Sequence, residues 1–179
     1  MATVGLTPSY IEKIHDELVG LRFPETEPVG HGRNLGLIQS AANRPFQSAG
    51  GIEIYPGLFS KAAALFHAIN ASHVFENGCK RTSIIAVDAF LSANFQFLAM
   101  SGDDLHHLAI KTADHNRQGV TQDQMILEIK RALEVGTIWL PRMFLNGYIQ
   151  LGWEAFKQGR ALRSELNYHH PAAANWKLV

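Results

Sequence analysis

The sequence predicts an all-α fold with one small β-hairpin flap. Helical spacing of apolar residues recurs along most of the chain, two segments open on capping-box spacings, and strand alternation stands out at one place only. Thr7-Pro8 sets a capping residue before a proline at the first helical position, and Ile11, Ile14 and Leu18 follow on one face, so a first helix is expected over 8–19. Residues 20–34 are rich in Pro, Gly and charge and read as loop; a short helix is expected over 35–42, stopped by Pro45. In "FQSAGGIEIYPG" paired glycines precede the alternation Ile52, Glu53, Ile54, Tyr55, which marks a hairpin or extended flap. Ala62, Leu65, Phe66 and Ile69 form an apolar stripe from Leu58 to about Ser72. The next helix begins after Gly78. With Ile84, Ile85, Val87, Ala89 and Leu91 it is apolar on most faces, so it is expected to be the central, buried one. Ser101 with Asp104 and Thr121 with Gln124 open two further helices, and Gly136 stands where the last should stop.

These elements make one domain over 1–135. Residues 136–179 are expected to be a C-terminal extension, helical and partly docked: Trp139, Phe144, Tyr148, Leu151, Trp153 and Phe156 are too apolar for a free tail, although Gly147, Gly152 and Gly159 weaken any helix there. With 179 residues the chain is long enough to bury a core without a staple. Sixteen basic and sixteen acidic residues produce no field that would recruit nucleic acid or an anionic membrane, so any phosphate site must be local. Cys79 is the single cysteine, which excludes an intrachain disulfide and points to a reducing, cytoplasmic setting. Glu12, Asp16 and Glu17 in the first apolar pattern are unlike a secretion signal. The most apolar stretch, 84–91, contains Asp88 and is far shorter than the roughly 20 residues a bilayer requires.

The stretch "HVFENGCKRTS", residues 73–83, is the chemically unusual one. The first turn of a helix carries unpaired N–H groups and partial positive charge, and Lys80 and Arg81 add to that field instead of opposing it. An incoming anion explains the arrangement, and Gly78 allows the close backbone approach a phosphate needs. His73 at the other rim is placed to take a proton from a hydroxyl. A plain connecting loop is the competing reading, with Glu76 paired to Lys80, His73 capping the preceding helix and Arg81 solvated.

"HVFENGCKR" resembles the signature of the Fic/Doc family, His-x-Phe-x-Asp/Glu-Gly-Asn followed by Gly or Lys and then Arg. The likeness extends through "LTPSYIEKIHDEL", "GLIQSAANRPFQSAGGIEIYPGLFSKAAALFHAI" and "FLSAN", about residues 5–135. Lys80 replaces the glycine of adenylylating members and Ile84 their second arginine, which is the arrangement of the death-on-curing (Doc) toxins. The resemblance implies a helical core presenting the loop and an adjoining flap. It implies ATP or another nucleoside triphosphate with Mg2+, His73 as general base, Phe75 as anchor, and Gly78, Cys79, Lys80 and Arg81 at the phosphates. Asn77 falls in the slot of the metal-contacting acid. Gln47, Ser48, Ala49, Gly50, Gly51, Ile52, Glu53, Ile54 and Tyr55 would form the target-binding flap. A kinase-like transfer to a hydroxyl of a target protein such as elongation factor Tu, or a nucleotidyl transfer, is implied, with control by a partner antitoxin.

Two substitutions bear on that implication. The amide of Asn77 is a weaker ligand for a hard cation than a carboxylate, and a Cys79 thiol is a poor donor where the family has an asparagine. The alternative is therefore a degenerate member that binds nucleotide or protein without turnover. Cys79 at a helix N-terminus beside two cations is also expected to have a lowered pKa. His106-His107, His115 and His169-His170 lack metal-ligand spacing and read as surface or core residues.

Overall fold

The computed structural model describes residues 2–19 and 30–139. Six helices carry it: α1 (Pro8–Val19), α2 (Leu35–Asn43), α3 (Leu58–Ala71), α4 (Cys79–Ala93), α5 (Gly102–Asp114) and α6 (Gln122–Val135). The expected hairpin is present as β1 (Ser48–Ala49) and β2 (Ile52–Glu53), reached from α2 through a single 3-10 turn at Arg44–Phe46 that holds Pro45. Among the described residues no helix is long and apolar enough to cross a membrane.

Local chemistry accounts for the helix starts. The Thr7 hydroxyl accepts from the Tyr10 N–H at 3.2 Å, Ser101 accepts from the Asp104 N–H, and Thr121 and Gln124 close a reciprocal capping box. A second two-stranded sheet, β3 (Gln96–Leu98) against β4 (Thr137–Trp139), was not anticipated. It brings the first residues beyond α6 back onto the end of α4, so the packed unit reaches Trp139; the expected docking of the later aromatic residues lies outside the described residues. Gly136 ends α6 where a Cβ would overlap the Met100 side chain, 2.8 Å from its Sδ.

The central helix is α3, not α4, which corrects the expectation from apolarity. Every α3 residue from Ser60 to Asn70 is buried, whereas α4 leaves Ile85, Asp88, Ala89 and Ser92 partly exposed. Three alanines in a row, Ala62 to Ala64, allow close approach by neighbouring helices. The polar residues that disguise α3 find partners. Lys61 donates to the Tyr55 carbonyl at 2.9 Å and pairs with Glu53, and the Asn70 amide donates to the Ala109 carbonyl at 2.9 Å.

The Asn70 side-chain oxygen, by contrast, is buried with no partner among the described residues, and His67 is a second exception. Its Nε2 lies 3.1 Å from Nε2 of His115, whose Nδ1–H donates to the Val120 carbonyl at 2.8 Å. His115 must therefore accept at Nε2, His67 must donate, and His67 Nδ1 is left buried with no partner among the described residues. Burial first, then the charge of Arg44 and the neighbouring His115, push His67 down to about 4. On α4, Asp88 Oδ1 is likewise buried without a partner among the described residues, and desolvation pushes that carboxyl up to about 7.

The two groups tilt stability in opposite directions. The folded His67 binds its proton less readily than the unfolded chain does, so its contribution is full above its ordinary 6.5 and falls as pH drops toward 4. Its loss is expected to reach roughly 3 kcal/mol in denaturant titrations across that window. The folded Asp88 holds its proton more readily, so its contribution is present below 3.8 and lost as pH rises toward 7. Asp88→Asn is therefore expected to raise the melting temperature more at pH 8 than at pH 5.

Candidate functional site

The motif loop joins the two most intimately packed helices. α3 closes at Ala71 with Ser72 as its C-cap, and His73 then adopts the left-handed conformation at φ 48° that ends many helices. Val74 and Phe75 turn into the core, and Gly78, also left-handed at φ 80°, opens α4. Phe75 is 1% exposed, and its ring lies flat on the imidazole of His15, centroids 3.7 Å apart and planes within 7°. His15 belongs to the buried face of α1 with Ile11, Ile14 and Leu18. Its Nε2–H donates to the Gly30 carbonyl at 2.9 Å, and Nδ1 accepts from the Thr82 hydroxyl at 3.2 Å. Burial, more than any neighbouring charge, lowers its pKa.

Residues 30–34 form a strap along the outside of the loop. The Glu76 N–H donates to the Gly32 carbonyl at 2.8 Å, the Asn34 N–H to the Val74 carbonyl at 2.9 Å, and Arg33 and Phe75 make an antiparallel bridge. The strap approaches so closely that a Cβ at Gly32 would stand 2.9 Å from Cβ of Glu76. Arg33 fixes the strap to α1 by a two-pronged contact with Asp16 and a 3.6 Å pair with Glu12. The hydrogen bond from Arg33 holds the Asp16 carboxyl below its ordinary range. None of these strap residues was singled out from sequence. The one available signal was His15, a polar residue at helical spacing on an otherwise apolar face.

At the rim, His73 and Lys80 are exposed, and Arg81 is partly buried with its pKa lowered by desolvation. Among the described residues no side chain caps α4, whose first intrahelical bond runs from the Thr82 N–H to the Gly78 carbonyl. The amides of Cys79 and Lys80 precede that bond at the positive end of the helix. No ion pair joins Glu76 to Lys80 among the described residues; the Glu76 side chain lies against the strap glycines instead.

Cys79 requires a correction. Its thiol was expected to be acidified by the helix end and two cations, but desolvation is the largest influence and raises the pKa. The Sγ donates inward to the Phe75 carbonyl at 3.3 Å. Asn77 also turns inward: its Oδ1 accepts from the Gly30 N–H. Among the described residues no three His, Cys, Asp or Glu side chains could together hold a metal ion. Asn77 Oδ1, the one expected ligand atom, accepts from the Gly30 N–H, and an amide oxygen is a weaker ligand for a hard cation than a carboxylate.

The flap segment is placed as a root and a free edge. Gln47, Ser48, Ala49, Gly50, Gly51, Ile52, Glu53 and Ile54 are exposed, with both tip glycines at positive φ, as a two-residue hairpin turn needs. Tyr55 is buried, its hydroxyl accepting from Arg44 Nε at 3.2 Å, and Lys61 reaches from α3 to Glu53.

A helical domain whose loop runs from an exposed imidazole to a cation-bearing helix N-terminus is suited to an anionic substrate that reacts with a hydroxyl. Residues 5–91 match the family model described as Fic/DOC family. A curated protein named Toxin Doc, from Mycolicibacterium smegmatis, is 38% identical over 71 residues, 40% of this chain and 55% of that protein. The chain thus spans about half the length of this relative. No solved structure matches. Members of that family are typically transferases that act on a nucleotide.

Two outcomes test the local geometry. Iodoacetamide is expected to alkylate Cys79 more slowly at pH 8 than an exposed peptide thiol, because the inward-facing group keeps its proton. His73→Gly is expected to melt at the same temperature as the native chain or higher, since glycine relieves a left-handed penalty of about 1 kcal/mol.

Proposed function

We propose that this chain is a Doc-like toxin of a toxin–antitoxin module, transferring the terminal phosphate of a nucleoside triphosphate to a hydroxyl of a target protein. What supports the reading is the motif loop itself, with an exposed His73 at its start and, at its end, a helix N-terminus that carries Lys80 and Arg81 and has no side-chain cap among the described residues. Backbone amides after Gly78 and the two cations hold the phosphates, as oriented dipoles and charge stabilise developing negative charge. His73 takes the hydroxyl proton, the oxygen attacks the terminal phosphorus, the bond to the bridging oxygen breaks, and nucleoside diphosphate leaves. The exposed edge of the flap pairs with an extended segment of the target through main-chain hydrogen bonds. ATP is the first nucleotide to test, elongation factor Tu the first target, and a cytoplasmic antitoxin the expected regulator. Mg2+ accompanies the nucleotide as its counter-ion, and no residue of this chain is assigned a bond to it.

A second reading rests on the inward turn of Asn77 and Cys79: a degenerate module that binds nucleotide or protein without turnover. The protein is incubated with γ-labelled ATP, Mg2+ and elongation factor Tu. Label is expected on the target, falling at least about 100-fold in His73→Ala. Binding without transfer, with label appearing only in the Asn77→Asp, Cys79→Asn double variant, supports the module instead.

A further inference from the structure

Both backbone polar groups of one residue, Gly30, are held by side chains from different elements. Its N–H donates to Asn77 Oδ1 in the motif loop, and its carbonyl accepts from His15 Nε2–H in α1. His15 is 0% exposed, and each bonding face of its ring is used: one face on Phe75, Nε2 on Gly30, Nδ1 on Thr82. Phe75 lies within the loop and Thr82 one turn beyond it, so a single ring is tied to the loop, to the helix that follows and to the strap outside.

We infer that His15 is a positioning residue, which fixes the motif loop by clasping Gly30 against Asn77. A phenylalanine would fill the same volume and preserve the ring stack, but nothing would then orient the Gly30 peptide. Asn77 would lose its fixed donor, and the strap bonds at Gly32 and Asn34 would be left to hold Val74 and Glu76 without support from α1 at Gly30. Arg33, paired with Asp16 and Glu12, gives α1 a second grip three residues further on, so α1 determines where the strap lies and the strap determines where the loop lies. Asn77 accordingly acts in this chain as the loop half of the clasp. This rests on the proposed function only in that the positioned loop is the one assigned to the phosphates.

Amide hydrogen exchange of the full chain, without nucleotide, reads the clasp directly through three reporters: Gly30, Asn34 and Glu76. In His15→Phe these amides are expected to exchange at least about tenfold faster, while amides of α3 and α6 keep their native rates. His15→Gln, which can still present an N–H toward the Gly30 carbonyl, is expected to restore part of the protection. Unchanged reporters in His15→Phe, or equal acceleration of α3 and α6, would overturn the assignment and reduce His15 to a core filler. Should His15→Phe fail to fold, Asn77→Ala probes the clasp from the other side, with the same acceleration expected at Gly30 and Glu76 and native rates there overturning it. Because no nucleotide is present, these outcomes stand apart from any failure of phosphate transfer.

Discussion

The placement of the Phe75 ring flat against His15 is the constraint from which the rest of the site follows. A loop that leaves a helix end open to an anion has few backbone bonds of its own, since capping that end would block it. Its shape must come from elsewhere, and here a buried aromatic supplies it. With Phe75 fixed under α1, Val74 and Glu76 face the strap in register, Gly78 is left to make the left-handed turn, and His73 is held outside at the rim. The left-handed His73 is tolerable for the same reason: its neighbours are anchored, so the conformation is imposed on it.

The same economy governs the buried polar groups. Lys61 is almost completely buried in the central helix, yet it pairs with Glu53 and the Tyr55 carbonyl, and those contacts root the flap. Asn70 and Thr112 bond to backbone carbonyls of α5. These bonds offset desolvation at the atoms that make them and also tie neighbouring elements to α3. His67, Asn70, Asp88 and Thr137 each keep one buried side-chain atom that lacks a partner among the described residues. For the titratable members, His67 and Asp88, this unmet burial makes stability respond to pH.

The sequence made the helices legible wherever the determining chemistry is local. Thr7 with Pro8, and Thr121 with Gln124, carry their caps within three or four residues, and the observed starts coincide with them. The motif loop was legible for the same reason, as a contiguous run. What stayed hidden depends on residues distant in the chain. The pairing of Gln96–Leu98 with Thr137–Trp139 leaves no periodic trace in three-residue strands. The burial of α3 was masked by Lys61 and His67, whose partners lie on other elements, so the more uniformly apolar α4 looked central. The thiol of Cys79 was misjudged because sequence shows the neighbouring cations but not the packing that removes water from the sulfur.

The two departures from the family pattern belong to one change. Asn77 and Cys79 stand where a metal-contacting acid and a phosphate-contacting amide are otherwise expected, and both direct their side chains into the protein, toward the Gly30 N–H and the Phe75 carbonyl. Each of the two side chains therefore has a hydrogen bond within the protein. Less of an anion's binding then falls to side chains at those two positions and more to what the fold itself provides: the amides at the start of α4, the positive end of its dipole, and the charges of Lys80 and Arg81. A site built in this way depends on the exact location of its backbone, because an amide cannot reach as a side chain can. The clasp at Gly30 and the stack beneath Phe75 supply that location, and they are therefore as much a part of the site as the residues at its rim.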